Sequence, residues 1–155
     1  GAKSDETKSV DLAEVSSEVA KRLTPVAAKK GVVINTAGEK AEITAGESLV
    51  FEMIYNLCDN AVKYNKENGT VTVTTGISGG APFVSVKDTG IGIPSECTDR
   101  IFERFYRVDK SRSKESGGTG LGLSIVKHIA MSLGGEITVD STPGVGTNIT
   151  VVFKN

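Results

Sequence analysis

The sequence predicts a two-layer α+β sandwich, and three observations predict it. Three segments carry apolar residues at helical spacing, one of them placed between runs of strand-forming residues. The β-branched runs are joined by glycine- and proline-rich turns, which argues for hairpins and segregated helices over a doubly wound parallel sheet. Two glycine clusters, Asp88-Thr89-Gly90-Ile91-Gly92-Ile93 and Gly117-Gly118-Thr119-Gly120-Leu121-Gly122-Leu123, bracket the stretch around which the chain is organised. Only glycine adopts positive φ cheaply, so both ends read as sharp turns where backbone approaches something closely.

In chain order, Asp11 with Glu14 three residues later reads as a capping box. Leu12, Val15, Val19, Leu23 and Val26 continue at helical spacing, so a helix is expected over about 11–30. Pro25 should kink it or split off its last turn, and Gly31 suits a C-cap. Residues 32–36 and 41–44 read as strands around a Gly38-Glu39 turn.

A second helix is expected over about 47–65, with Val50, Ile54, Leu57 and Ala61 as its apolar stripe. Asn56, Asn60, Lys63 and Tyr64 fall together beside that stripe. They are either a solvated flank or the polar wall of a site. Residues 70–75 and 83–87 read as strands joined by a hairpin connection over 76–82, and the second delivers Asp88 to its C-terminal end. Leu121, Ile125, Val126, Ile129 and Leu133 mark a third helix, stopped by Gly134-Gly135. Strands over 136–140 and 148–153, around a turn containing Pro143, close the chain.

Composition excludes several classes. The 155 residues are enough for one domain with a real core, and the net charge of −1 provides no field for nucleic acid. No apolar run reaches membrane-spanning length, and Cys58 and Cys97 lack metal or redox spacing. Walker A and HExxH patterns are absent from the sequence.

The remaining chemistry points to a nucleotide pocket. Asp88 either caps its own turn or aims an acceptor at an exocyclic amine, as adenine presents at N6. Lys63 offers a point charge to phosphate, and Asn60 a neutral oxygen to Mg²⁺. Glycines feeding the third helix offer backbone N–H groups to phosphate. Residues 100–114 hold Arg100, Arg104, Arg107, Lys110, Arg112 and Lys114 against Glu103 and Asp109. That run is either a solvated basic loop or a lid over polyphosphate. Phe102, Phe105 and Tyr106 would anchor its first half.

Five motifs in register then resemble one family. Asn56-Leu-Cys-Asp-Asn60-Ala-Val-Lys63-Tyr64 resembles the N box of sensor histidine kinases. Asp88-Thr-Gly90-Ile-Gly92 resembles their first glycine box, and Phe102-Glu-Arg-Phe105-Tyr106-Arg107 their F box. Gly118-Thr-Gly120-Leu-Gly122-Leu and Gly144-Val-Gly146-Thr147 resemble the last two glycine boxes. The resemblance implies a Bergerat fold: a mixed, mostly antiparallel sheet with three main helices on one face, and an ATP lid over 95–116. Residues 9–155 would form the catalytic ATP-binding domain. Residues 1–8 would be a tag remnant or a linker from an upstream dimerisation domain.

By the same resemblance, Asp88 binds the adenine amine, Asn60 holds Mg²⁺, Lys63 and Tyr64 reach phosphate, and Thr147 supports Asp88 through water. Gly90, Gly92, Ile93, Tyr106, Gly118, Thr119, Gly120, Leu121 and Gly122 complete the nucleotide-binding set. Arg107 is expected to reach the β- or γ-phosphate, with Arg104 or Lys110 second. Asn56 occupies the position where gyrase-type relatives carry a glutamate base. An amide cannot take a proton from water at neutral pH, so the site should hold a γ-phosphate without hydrolysing it well. Asn56, Lys63 and Arg107 are therefore the expected catalytic residues.

His128 is expected to be a plain surface or half-buried histidine. The acceptor histidine would come from a dimerisation domain outside this chain, with a response regulator downstream. The implied partners are thus ATP or ADP, that domain and that regulator. The isolated domain should be monomeric, the full-length kinase a homodimer, and the location cytoplasmic.

Overall fold

The computed structural model describes residues 6–104, 106 and 122–154. Its helices are α1 (Leu12–Lys29), α2 (Glu47–Lys63) and α3 (Gly122–Ser132). Its strands are β1 (Thr7–Asp11), β2 (Val33–Gly38), β3 (Glu42–Gly46), β4 (Thr70–Ser78), β5 (Ala81–Asp88), β6 (Gly135–Thr142) and β7 (Gly146–Phe153). Five strands form one sheet in the order β2-β4-β5-β7-β6, and β1 and β3 pair as a separate antiparallel ribbon. Only β2 and β4 run parallel within the larger sheet. The two-layer α+β expectation therefore holds, with a mixed, mostly antiparallel sheet.

Alternation decides which face is covered. Val71 and Val73 of β4, Val84 and Val86 of β5, and Ile149, Val151 and Phe153 of β7 all point to the helices and are buried. They meet Leu12, Val15, Val19 and Leu23 of α1, Val50, Ile54, Leu57 and Ala61 of α2, and Val126 and Ile129 of α3. The opposite face is polar: the Ser85 hydroxyl donates to Asn148 Oδ1 (2.5 Å) and accepts from Thr150 Oγ1 (3.2 Å). A half-solvated antiparallel sheet gives this apolar-in, polar-out reading.

Local chemistry sets the helix ends. Asp11 Oδ1 accepts from the Ala13 N–H (3.0 Å) and also from the Ala41 N–H (3.1 Å), so one carboxylate caps α1 and ties it to the strand that follows. At the other end, Gly31 takes φ +77°, its N–H donates to Ala28 O (3.0 Å), and the Val32 N–H donates to Ala27 O (2.9 Å). These two bonds form a Schellman motif.

Several expectations are corrected. Pro25 does not split off the last turn: α1 runs through it to Lys29. Lys21, whose carbonyl Pro25 cannot satisfy, lies in an exposed part of the helix where water can take that role. Val26 is 50% exposed, and Ala27 takes its place in the stripe. β1 has no counterpart in the sequence reading, because a five-residue strand with Val10 as its one apolar side chain carries no period. Its existence depends on β3, 31 to 39 positions away in register.

The β4–β5 connection is also shorter than residues 76–82. It is a two-residue turn at Gly79 (φ +56°) and Gly80 (φ +82°), the pair of positive φ values that a type I′ hairpin needs. Gly76 and Pro82 lie inside the strands. Pro82 is tolerated because pairing with β7 begins only at Phe83↔Val152, so its missing N–H forfeits no ladder bond there. No helix among the described residues is long and apolar enough to cross a membrane.

One polar atom in the core stands out. Ser16, on the buried face of α1, is 1% exposed and its hydroxyl has no hydrogen-bond partner among the described residues. A buried unpaired hydroxyl costs about 1–3 kcal/mol, and alanine is also the better helix former. Ser16→Ala should raise the stability by about 1 kcal/mol, read as a higher urea midpoint at unchanged slope. A lower midpoint would show that the hydroxyl is satisfied.

Candidate functional site

The polar flank of α2, the end of β5, the start of α3 and the β6–β7 turn meet at one end of the sandwich. Asp88 is the last residue of β5, pairs with Thr147 across the ladder, and is half-buried. Its Oδ1 accepts the Gly90 N–H at 2.8 Å and the Thr147 N–H at 3.3 Å. Its Oδ2 takes no hydrogen bond among the described residues. Burial pushes the carboxyl above its ordinary value, and the two backbone N–H groups pull it back only in part. One oxygen is thus fixed by backbone, and the other remains as an acceptor.

The glycines around Asp88 serve protein contacts. A Cβ on Gly90 would lie 2.4 Å from Tyr64 O, and one on Gly92 (φ +75°) 2.2 Å from Thr142 O. A Cβ on Gly146 (φ +148°) would lie 2.0 Å from Asp88 O. What approaches these residues closely is the end of α2, the β6–β7 turn and β5. Gly122 differs: among the described residues its Cβ would meet only Asn56 Oδ1, at an ordinary 3.5 Å.

The segment after Asp88 is laced to both neighbours. The Ile91 N–H donates to Tyr64 O (3.2 Å), the Gly144 N–H to Ile91 O (2.8 Å), and the Ile93 N–H to Ser141 Oγ (2.8 Å). Ser141 also contacts the Thr147 hydroxyl at 2.7 Å. Thr147 also meets Asp88 directly, through its backbone N–H, while its hydroxyl contacts Ser141.

Along α2, Asn56, Asn60, Lys63 and Tyr64 are all half-buried, so the expected flank is a wall at the edge of the core. The Asn56 amide N–H donates to Glu52 O (2.8 Å), leaving Oδ1 turned toward Gly122. The Lys63 ammonium pairs with Asp59 Oδ2 at 3.0 Å. The Lys63 carbonyl accepts from the Lys30 ammonium. Among the described residues, no three His, Cys, Asp or Glu side chains group closely enough to hold a metal ion.

Sequence reasoning missed Asn65 and Ser141 as supports. Asn65 is buried; its amide donates to Thr70 O (3.0 Å) and its Oδ1 accepts from the Lys66 N–H (2.8 Å) and, at 3.4 Å, from Thr89 Oγ1. It fastens the end of α2 to β4 and to the residue after Asp88. Its partners are distant in sequence or are backbone, so no local pattern reveals them.

The first part of the expected lid is partly described. Ile101 is buried and Phe102 packs on the core, as an anchor should. The Arg100 guanidinium lies 4.4 Å from the centre of the Tyr106 ring and forks onto Glu103 at 3.2 Å. A hydrogen bond with Cys97 is the main cause that raises the Tyr106 hydroxyl. Tyr106 is therefore held by its own segment. Phe105, Arg107, Lys110, Arg112 and Lys114, and the expected phosphate-turn residues Gly118, Thr119, Gly120 and Leu121, lie outside the described residues.

Neither remaining nucleophile belongs to this cluster. Burial, with the Asp59 charge second, pushes the Cys58 thiol up to about 12, so it stays protonated. His128 is exposed on α3, as expected.

Comparison with known proteins comes to the same place. The family described as histidine kinase-, DNA gyrase B-, and HSP90-like ATPase matches residues 45–155. Sensor histidine kinase YkoH of Bacillus subtilis is 40% identical over 147 residues, which is 95% of this chain and 32% of that protein. Sensor-like histidine kinase SenX3 of Mycolicibacterium smegmatis is 39% identical over 143 residues, 92% of this chain and 37% of that protein. This chain thus spans about a third of the length of these relatives. Among solved structures, the mycobacterial sensor histidine kinase MprB superposes with a TM-score of 0.83 at 26% identity, covering 94% of this chain and 97% of that one. Full-length ShkA in complex with AMPPNP gives 0.82 at 31% identity, over 99% of this chain and 32% of that one.

The half-buried carboxyl gives a stability prediction. Between its ordinary range, near pH 4, and its raised folded value, folded Asp88 holds a proton that the unfolded chain has released. Stability conferred by this position therefore falls as pH rises through that window. Asp88→Asn carries no charge and keeps an acceptor for both N–H groups. Its stability should gain on the parent's as pH rises above about 4, and the advantage should vanish below that. Denaturation midpoints at a series of pH values check this; a variant that loses ground with rising pH contradicts it.

Proposed function

This chain belongs to the histidine kinase-, DNA gyrase B-, and HSP90-like ATPase family, and from that premise we propose that its site binds Mg-ATP and serves γ-phosphoryl transfer to a histidine. The acceptor would sit on the dimerisation domain of the same kinase, for relay to a response regulator. The similarity to named sensor histidine kinases over more than nine-tenths of this chain supports the kinase branch of the family. The AMPPNP complex of ShkA supports an adenine nucleotide as ligand.

The observation that carries the reading is Asp88. One carboxylate oxygen is locked by Gly90 and Thr147, and the other faces no described donor. An acceptor of that kind suits the amine at adenine N6. Guanine presents a carbonyl at that position, and two facing acceptors in a half-buried site would cost several kcal/mol, on the order of 1–3 for each unpaired group.

The rest of the site follows the same assignment. Lys63 would take phosphate as a point charge, and Tyr64 would line that side. Asn60 would give one neutral oxygen to Mg²⁺, with phosphate oxygens and water as further ligands, and the bound ion would offset the phosphate charge. Among the described residues no atom crowds Gly122, which supports a role for its N–H or its bare Cα against phosphate. Gly118, Thr119, Gly120, Leu121 and Arg107 would complete the phosphate end, and Gly90, Gly92, Ile93, Tyr106 and Thr147 the base end. Asn56 cannot activate water, so transfer would wait for the histidine acceptor.

Isothermal titration with Mg-ATP, Mg-ADP and Mg-GTP tests the reading. ATP and ADP should bind, GTP should bind at least tenfold more weakly, and Asp88→Asn should weaken the adenine nucleotides by about tenfold. Equal affinity for ATP and GTP would remove Asp88 from base recognition.

A further inference from the structure

Asp59 and Lys63 form an ion pair on the polar wall of α2, and the proposed binding scheme uses only its lysine. At about 100° per residue, Asp59 and Asn60 project about 100° apart on α2, and Lys63 lies between them, about 40° from Asp59 and about 60° from Asn60. The flexible stem of Lys63 can therefore lean either way. In this structure it leans to Asp59: Nζ is 3.0 Å from Oδ2, with 35% and 23% of the two side chains exposed. That is the side away from Asn60, and away from the stripe of Val50, Ile54, Leu57 and Ala61 that faces the core.

We infer that Asp59 is a positioning residue that parks the Lys63 ammonium at the outer rim of the site, so that polyphosphate must compete with an internal carboxylate for it. The inference rests on the nucleotide reading above. It follows from charge and geometry together. An ammonium has three N–H donors, so phosphate need not strip it from Asp59 altogether, but it must draw Nζ toward the Asn60 side. The carboxylate left behind also repels the incoming phosphates. Both effects make Asp59 a tax on phosphate binding that the base and ribose do not meet. An alternative in which Asp59 preorganises Lys63 for phosphate would require the carboxylate to hold the ammonium toward Asn60, and it holds it on the other side.

A pair of this exposure is weak, which sets the expected size. Neutralising the carboxylate in Asp59→Asn should tighten Mg-ATP binding by about two- to fivefold. Adenosine, which has no phosphate, should bind Asp59→Asn and the parent equally. In a Lys63→Met background the same Asp59→Asn change should give less than half of that gain, because only the direct repulsion remains. Asp59→Glu, which keeps the charge, should restore parental ATP affinity. The measurement is calorimetric titration of ATP and of adenosine into the four variants and the parent.

A weaker ATP affinity in Asp59→Asn would overturn the parking role in favour of preorganisation. An unchanged affinity would show that the pair does not compete with phosphate. Equal shifts for adenosine and ATP would mean that the substitution acts through the fold. If the parent itself binds neither ATP nor adenosine, the nucleotide reading fails first, and this inference falls with it.

Discussion

The site depends on a contact between two strands that no side chain could make. Gly146, the first residue of β7, lies so close to the last carbonyl of β5 that a Cβ would sit 2.0 Å from Asp88 O. That approach brings the Thr147 N–H to the Asp88 carboxylate and sets the Asp88↔Thr147 pair at the end of the ladder. With Oδ1 held from both sides, by Thr147 and Gly90, the second oxygen has one direction in which to act. Preorganised acceptors of this kind lose little on binding, since their orientation is already fixed by the fold.

The same logic extends outward. Gly92 lets the segment after Asp88 run against the β6–β7 turn, where the Gly144 N–H bonds Ile91 O, and Gly90 lets it run against the end of α2. Asn65 joins that helix end to β4, and Lys66 reaches across to Gly144 O at 3.0 Å. Three pieces of the chain far apart in sequence are thereby fastened around one carboxylate. The cost is a charge held partly away from water, visible in the raised protonation of Asp88. Such a cost is ordinary where a group is kept for binding over stability.

Much of this was legible in the sequence. The apolar stripe of α2 and its polar flank follow from period 3.6, and all four stripe residues are buried. The strands read over 70–75, 83–87 and 148–153 lie within β4, β5 and β7. The Asp11 cap and the Gly31 turn are local chemistry and appear where expected. What was not legible depends on partners far along the chain. β1 is a strand because β3 lies beside it, and Ser141 and Asn65 matter because of the backbone that reaches them. The glycines of the first cluster were legible as points of close approach. That the approaching group is protein at Gly90 and Gly92 follows only from the packed chain, since a bare Cα serves a ligand and a neighbouring carbonyl equally well.

The central claim is that Asp88 is divided, one oxygen for the fold and one for the base. A crystal structure with Mg-ADP bound tests it most directly. The account predicts the exocyclic amine of adenine within about 3.2 Å of Oδ2, with the Gly90 and Thr147 bonds to Oδ1 intact. An adenine ring bound elsewhere, or an amine that takes Oδ1 and displaces either backbone N–H, would contradict it.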